Sequence, residues 1–442
     1  NFLALFSSED IPVEFLFKDE VPNSEWEQVK NANKKAAKIY EKRTLKILKD
    51  YFQFRSKSNH PNQIISLAGH TDKSFIIREA IETLKYYSLV NGNIQSLSVH
   101  NLVQLVTRDA MDLSQLPLWI ESSLGLLERL FPEKSSDLNQ WPQCSQLFPH
   151  AVTISEMADQ HHIRPEINIR LLKKIATYLF HAAQFSEAAS TYQKGYQIAK
   201  TIYTPPHAEL SNYLKSIGQC REAQDHFKQA LNFYQQALNY DRRLSNNKAV
   251  NIAETLNHLG AVSLKQGKLD DALSYFQNAL ENYHIKYSQR HPSSAVCRTA
   301  IGKTFAARGN LEEAFKHYEN ALQIAKECYG NEHTFVAEIV NNIGDANLLR
   351  GDLKSAEEDF KLAYQINHKC FGKEHPVVAA DLNRMGSVAL QRKDYSLAED
   401  LFHQSAEINS KIYGNNHHSI ARDNNSFGCL EKEKGNLLLA LD

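Results

Sequence analysis

The sequence predicts a mainly α-helical protein whose larger part is a solenoid of 42-residue repeats. Three observations predict this class: an alanine returns at an unbroken step of 42 residues, a glycine keeps the same step, and an aromatic residue follows each of the first six alanines by four places. The alanines are Ala188, Ala230, Ala272, Ala314, Ala356, Ala398 and Ala440. Repeats of this length are helix pairs that bury their apolar faces against neighbouring copies.

Each repeat begins with a helix, called helix A here, that carries the glycine. The glycines are Gly218, Gly260, Gly302, Gly344, Gly386 and Gly428, and each follows an apolar residue. Only Gly or Ala lets two helix backbones approach closely without displacing the surrounding side chains. Helix A is therefore expected to cross its partner at the glycine.

A turn, clearest at residues 309–311 and 351–353, then leads into helix B. Helix B carries the repeated alanine, the aromatic residue four places later and usually a second small residue three places further on. This helical spacing defines one inward face. Residues 184–185 and 225–227 replace the glycine turn in the first two copies, so we expect the helices there to pack less regularly.

The run from Gly309 to Ala314 (GNLEEA), with Tyr318 and Ala321 after it and the loop 329–333, resembles the tetratricopeptide repeats of the kinesin light chain type. The resemblance covers about residues 165–442. It implies a right-handed solenoid of about six and a half repeats, truncated at the C-terminus, with a concave groove that binds a protein or peptide ligand. We interpret the sequence as a fragment, since it lacks an initial Met and ends one turn into a helix B.

A polar column lies three places before the glycines on helix A. It consists of Asn257, Thr299, Asn341, Asn383 and Asn425. The same column in related repeats faces bound peptides, and an Asn amide both donates and accepts hydrogen bonds, so the column suits the backbone of an extended peptide. The alternative is that these residues pack adjacent A helices together. Charges of both signs flank the column, so the sequence does not indicate the charge of the ligand. They are Glu254, Lys303, Glu338, Asp345 and Arg422.

A histidine also keeps the same step from repeat to repeat. Its members are His291, His333, His375 and His417. Neighbouring members lie a whole repeat apart, further than a helix diameter of ~10 Å, whereas zinc ligands lie ~2 Å from the metal. The row therefore predicts the starts of A helices and no metal site.

The part of the chain before the array, residues 1–164, carries no repeat. Residues 76–86 are predicted to form a helix, Asn91-Gly92 is a hairpin signal between strands at 87–90 and 96–99, and another helix starts near His100. This order predicts a winged-helix-like domain over residues 1–112, with a basic insertion at about 22–72, and a helical linker over 113–164. The basic stretch 30–57 is interpreted as a solvated helix face in preference to a lipid or nucleic-acid patch.

Residues 2–16, 84–90, 96–104 and 141–150 resemble the segment before the tetratricopeptide repeats in signalling NTPases of the NB-ARC or STAND class. The resemblance implies a sensor that relays its ligand to an upstream nucleotide switch, with ADP or ATP as the cofactor of the full-length protein and with possible self-oligomerisation.

In that family, a histidine of a Met-His-Asp-type motif touches the β-phosphate of ADP, and His100 holds the matching position here. An imidazole at a helix N-terminus suits a phosphate. Simple helix capping by His100 is the alternative, and Asn101 departs from the acidic residue of the motif.

No catalytic motif occurs in this sequence. It lacks a Gly-x-Ser-x-Gly elbow, a His-Glu-x-x-His pair and a phosphate loop, because residues 69–74 have no Gly before Lys73. A catalyst, a bound cofactor and a metal are therefore not expected. No apolar run approaches the ~18 residues of a membrane span. The six cysteines lack metal or redox spacing and predict buried free thiols in a reducing, cytoplasmic compartment.

Three functions stay open. The favoured one is the protein-sensing region of an NB-ARC-type signalling protein, followed by a cargo or scaffold adaptor of the kinesin light chain sort. A transcription regulator that reads DNA is the third. Nucleic acid is disfavoured, since the formal net charge is −1 and the predicted recognition helix balances Arg78 and Lys85 against Glu79 and Glu82.

Overall fold

The computed structural model describes residues 5–7, 11–12, 85, 90–92, 96–99, 104, 114, 116–244, 248–414 and 418–436. The chain forms two compact units, Asn1–Ile175 and Ala176–Asp442. Three short strands and fifteen α-helices occupy the described residues. The predicted fold class, a mainly helical repeat array, is confirmed.

The first unit contains a small antiparallel sheet of β1 (Ile11–Pro12), β2 (Val90–Gly92) and β3 (Ser96–Val99) in the order β1-β3-β2. The predicted pairing of the two later strands is confirmed, with Val90 opposite Val99. The predicted turn at Asn91-Gly92 was wrong, because both residues continue β2 and Gly92 lies opposite Leu97. Glycine can adopt the φ of 137° that Gly92 has inside the strand, so the hydrogen-bonded pairing of β2 with β3 continues through Asn91 and Gly92.

The first unit also contains the helices of the predicted linker. They are α1 (Leu116–Leu130), a short 3₁₀ turn (Leu138–Gln140) and α2 (Trp141–Gln160), and α3 (Pro165–His181) follows them into the second unit. The predicted helix at 76–86, apart from helical Lys85, the basic insertion and His100 lie outside the described residues. The winged-helix-like domain over 1–112 therefore stays a prediction.

The second unit continues the alternation of A and B helices that α3 begins. The B helices are α4 (Phe185–Ile202), α6 (Phe227–Asp241), α8 (Leu269–Lys286), α10 (Leu311–Tyr329), α12 (Leu353–Phe371) and α14 (Tyr395–Tyr413). The A helices are α5 (Ala208–Ala223), α7 (Lys248–Lys265), α9 (Pro292–Ala307), α11 (Thr334–Arg350), α13 (Pro376–Gln391) and α15 (His418–Lys434).

The repeated glycines are the points where the two helices of a repeat cross. A Cβ atom built on Gly344 would lie 2.6 Å from Cε1 of Phe360, and one on Gly386 would lie 2.5 Å from Cε1 of Phe402. Carbon atoms do not approach so closely, so a larger residue would push the helices apart. The repeated alanines from Ala188 to Ala398 are fully buried. The predicted crossing of helices A and B is confirmed.

The turn from helix A to helix B uses one left-handed residue in every copy. These residues, which keep the step of the repeat, are Ala183, Asp225, Gly267, Gly309, Gly351, Lys393 and Gly435. In the second copy, a Cβ atom built on Gly218 would lie 2.6 Å from Cε1 of Tyr234, as one built on each later glycine would lie against its aromatic partner. The expectation that this second copy packs less regularly was therefore wrong, because Asp225 adopts the glycine conformation.

The cysteines depart in part from the sequence prediction. All six are free thiols, and Cys144, Cys220 and Cys297 are buried as expected. The other three, Cys328, Cys370 and Cys429, are exposed. Helical position alone does not determine burial, because an amphipathic helix exposes one of its faces.

Candidate peptide groove of the repeat array

The A helices line the inner side of the array in the second unit. Neighbouring A helices contact one another, as seen for α5 with α7, α7 with α9, α9 with α11 and α13 with α15. Each B helix packs chiefly against the A helices before and after it. Elements that approach more closely lie on the inside of a curved stack, so the A helices form its concave side.

Asn341 and Asn383 of the predicted polar column lie between adjacent A helices. The exposed fraction is 5% for Asn341 and 8% for Asn383. Nδ2 of Asn341 donates to Oδ1 of Asp381 at 2.7 Å, and Nδ2 of Asn383 approaches Oδ1 of Asp423 at 3.3 Å. Both contacts match the alternative that the sequence left open, in which these residues pack adjacent A helices together.

The other members of the column vary with the residue that they face. Oδ1 of Asn257 accepts from the Cys297 thiol at 3.3 Å, again in the next A helix. Thr299 is buried and donates to the backbone oxygen of Ala295 in its own helix at 2.8 Å. Asn425 is exposed. The groove assignment of the column stays a prediction.

Two buried aspartates complete this inter-repeat network, and the sequence reasoning missed them. Asp381 also accepts from Nδ2 of Asn367 at 2.7 Å, and Asp423 accepts from Ser405 at 2.9 Å and from Asn409 at 2.7 Å. Burial raises the pKa of Asp381, and the hydrogen bonds from Asn367 and Asn341 oppose that rise. A sequence signal existed, because both the aspartates and their asparagine partners recur at the step of the repeat.

Charges on the concave side neutralise one another across neighbouring A helices. Lys303 lies 3.3 Å from Glu338, and Asp345 lies 3.4 Å from Arg384. The half-buried Asp345 carboxyl has a raised pKa through burial, which the nearby Arg384 opposes. Charges of both signs on the A helices are therefore paired between neighbouring helices, and we call these ion pairs the ion-pair ladder.

We define the inner stripe as the accessible concave residues of α7, α9, α11 and α13. It comprises Glu254, Val296, Lys303, Glu338, Asp345, Leu349 and Arg384. Val296 and Leu349 are exposed apolar side chains, 45% and 68% accessible. The stripe thus combines apolar contacts with charges that already have partners.

Three members of the histidine row begin A helices, as predicted. The backbone N–H of Phe335 donates to Nδ1 of His333 at 3.1 Å, and the His333 ring stacks on Tyr329 with centroids 4.3 Å apart. His291 and His375 cap α9 and α13 in the same way. His417 lies outside the described residues. Because Nδ1 accepts from the backbone, these rings serve the helix termini.

Two features are absent from the described part of the chain. No group of three His, Cys, Asp or Glu side chains there is arranged to hold a metal ion. Among the described helices, none combines the length and apolar composition needed to cross a bilayer.

A profile of the tetratricopeptide repeat family matches residues 168–243, 251–327 and 302–369. No curated protein matches the sequence.

Solved structures also match this chain. Apo RapI is 15% identical with a TM-score of 0.51, covering 83% of this chain and 92% of RapI. A Rap protein complexed with Competence and Sporulation Factor is also 15% identical with a TM-score of 0.51, covering 74% and 85% of the two chains. BtubC (BKLC) from P. vanneervenii is 18% identical over 53% of this chain and 91% of its own, with a TM-score of 0.41. At these identities the Rap likenesses show the fold alone. The profile matches tetratricopeptide repeats over residues 168–243 and 251–369, and the constant step and the paired helices agree with that match there.

Proposed function

We propose that the repeat array binds an extended segment of a partner protein along the inner stripe. The observation that carries this proposal is the exposure of Val296 and Leu349 on the concave A helices. A surface that repeats at constant register suits a ligand with its own regular backbone spacing. The tetratricopeptide repeats, which are interaction scaffolds, support the proposal.

The ion-pair ladder suits exchange with a charged ligand. Exposed ion pairs are worth only about 0 to 1 kcal/mol each, so a ligand carboxylate can take Lys303 or Arg384 from its present partner at little cost. Val296 and Leu349 supply apolar burial, at roughly 25 cal/mol per Å². Binding therefore needs no release of the buried Asn341 and Asn383 amides.

A phage-displayed library of random linear peptides tests this proposal. The protein is expected to select peptides, and the labelled peptide that binds best is then titrated against Val296→Asp and Leu349→Asp. Both variants should weaken binding at least about tenfold, since each buries a charge in the interface. Leu362→Asp is the matched control, because Leu362 is a similarly exposed apolar residue on helix B α12. Equal losses in all three variants would contradict the concave site.

We further infer, from the resemblance of residues 1–155 alone, that ligand binding is relayed to an upstream nucleotide switch with His100 on the ADP β-phosphate. In a longer chain that includes the nucleotide module, His100→Ala should loosen ADP by about 1.5 to 3 kcal/mol, the value of a hydrogen bond to a charged group. A cargo adaptor would bind its ligand along the same stripe without any response to ADP. Cytoplasmic location and self-oligomerisation stay part of this proposal.

A further inference from the structure

One repeat lacks the pair of rings found where the other described A helices of the array begin. In those repeats a tyrosine or phenylalanine after or at the end of a B helix stacks on the histidine that caps the next A helix. The described stacks, with ring centroids 3.8 to 4.3 Å apart, are Tyr203 on His207, Tyr287 on His291, Tyr329 on His333 and Phe371 on His375. Ser245 and Ala249 hold the two equivalent places at α7. Neither residue has a ring, so the stack cannot form there.

A cavity of about 530 Å³ lies at this point, between the start of α7 and the end of α8. The residues that line it are Lys248, Ala249, Ile252, Asn282, Ile285 and Lys286. Ile252 is half-buried, whereas its equivalents beside the described stacks are all buried. They are Leu210, Ser294, Val336 and Val378. The small Ala249 in place of a histidine thus leaves apolar surface uncovered.

The end of α8 differs from the ends of the later B helices. In the next repeat the Cys328 thiol donates to the backbone oxygen of Arg290 at 3.2 Å, which joins the end of helix B to the residue before helix A. The same contact recurs one repeat later, at 3.3 Å. Lys286 and Lys248 hold these two places in the repeat of α7 and α8, and both line the cavity. Charged side chains therefore replace the thiol contact at the cavity.

Ile285 is an apolar residue at a place that is polar in the other repeats. The equivalent residues are Thr201, Arg243, Glu327, Lys369 and Lys411. Ile285 lines the cavity and is 74% exposed, the highest value among the large apolar side chains that the structure describes. Removing apolar surface from water is favourable, so Ile285 is suited to contact a further apolar group.

The charges at the cavity are positive. Among the described residues that line it, two are lysines and none is acidic. Arg242 and Arg243, at the end of α6, add two exposed cations ahead of α7. Of the acidic residues in the adjoining turns, Asp241 is buried, Glu254 has a cationic partner on the concave side, and the exposed Glu281 is outside the lining. The cavity is therefore complementary to an anionic ligand.

We propose that this cavity binds an acidic segment of a partner protein and takes one of its apolar side chains between Ile252 and Ile285. Carboxylates of the segment then lie beside Lys248 and Lys286. Apolar burial supplies affinity, and the complementary charges speed the encounter. The inner stripe contains none of the residues that line the cavity, so the cavity is a second interaction surface, where the helices of one repeat end.

Fluorescence anisotropy with three short labelled peptides tests the cavity. The first peptide alternates Glu with Leu and Phe, the second carries Lys in place of every Glu, and the third carries Ser in place of every Leu and Phe. Only the first is expected to bind the unchanged protein, and its affinity should fall as the salt concentration rises.

Two variants remove the cavity's apolar wall or its charge. Ile285→Glu and Lys248→Glu introduce the residue type that occupies the same places at Glu327 and Glu332, so both should fold and melt as the unchanged protein does. Each should bind the acidic peptide at least about tenfold more weakly, because apolar contact is lost or a like charge faces the ligand.

The matched controls lie in repeats that have the ring stack. Lys373→Glu changes an exposed cation just before α13, and Leu362→Asp changes an exposed apolar residue of α12. Both should leave the affinity for the acidic peptide unchanged.

The proposal is overturned if the acidic peptide does not bind, if the Lys peptide binds as tightly, or if Ile285→Glu binds as well as the unchanged protein. Self-association that Ile285→Glu abolishes, or binding of dodecanoate without binding of the peptide, would instead assign the cavity to a second copy or to a fatty acid. A loss in Leu349→Asp and none in Ile285→Glu would place the peptide on the inner stripe, so the two proposals fail separately.

Discussion

Asn341 of α11 donates its side-chain N–H to Asp381 of α13 at 2.7 Å, and both side chains are buried. The hydrogen bond joins two A helices of consecutive repeats. Asn367 holds the second oxygen of the same carboxylate. Asp381 is thus a buried acceptor that depends on two amides.

Asn341→Ala is expected to lower the free energy of unfolding by about 1 to 3 kcal/mol, because it leaves the buried Asp381 carboxylate short of a donor. Urea unfolding measures the loss. Asp381→Ala and the double variant complete the cycle, and the double variant should lose less than the two single losses added together. A different outcome would assign Asn341 to the ligand: the two single losses of unfolding free energy add strictly, and an Asn341→Ala variant of unchanged stability binds the peptide more weakly.

Gly344→Ala should destabilise the array by about 1 to 3 kcal/mol, the usual cost of overpacking. The added Cβ would lie 2.6 Å from the Phe360 ring. Gly125→Ala is the control, since a Cβ on this α1 residue meets nothing within 4 Å and Ala exceeds Gly in helix propensity by about 1 kcal/mol. Thermal melts should therefore shift in opposite directions for the two variants, and a rise for both would refute the close crossing.

Lys393→Gly and Ala183→Gly should each stabilise the protein by about 0.5 to 1 kcal/mol, because the left-handed strain of a non-glycine residue exceeds the added chain entropy of glycine. Lys393 has a φ of 64° and Ala183 one of 57°. The reverse change, Gly351→Ala at a φ of 83°, should destabilise. Chemical unfolding of the three variants measures the differences, and an unchanged Gly351→Ala would show that these turns carry no strain.

The array should lose stability in mild acid through His258. Burial lowers the pKa of His258 from 6.5 to about 4, and the ring stacks on Tyr234. The unfolded chain then binds the proton more tightly, so stability is full above pH 6.5 and falls as the pH drops toward 4. Between about pH 7.5 and about pH 5 the loss is roughly 2 kcal/mol.

His258→Phe keeps the stacking surface and removes the titration. The difference in unfolding free energy between the two proteins should therefore change with pH, which subtracts the other titrating groups. A difference that stays constant from neutral to acidic pH would contradict the lowered pKa of His258.

The sequence by itself determined the repeat, its length and the crossing of each helix pair. Gly344 and Phe360 belong to the same repeat, so both partners of the contact fall inside one period and are visible in it. The histidine caps were predictable for the same reason, since Nδ1 of His333 bonds the backbone N–H of nearby Phe335.

Only the tertiary structure decided which way the polar columns face. Helical periodicity places Asn341 on a face of helix A, but the packing of the next repeat decides whether that face meets solvent or Asp381, 40 residues later. The left-handed conformation of Lys393, at the place of the turn glycines, was likewise seen only in the structure. Local propensity acts within one helix pair, whereas burial and charge partners depend on contacts between pairs, and these follow from the way in which the repeats stack.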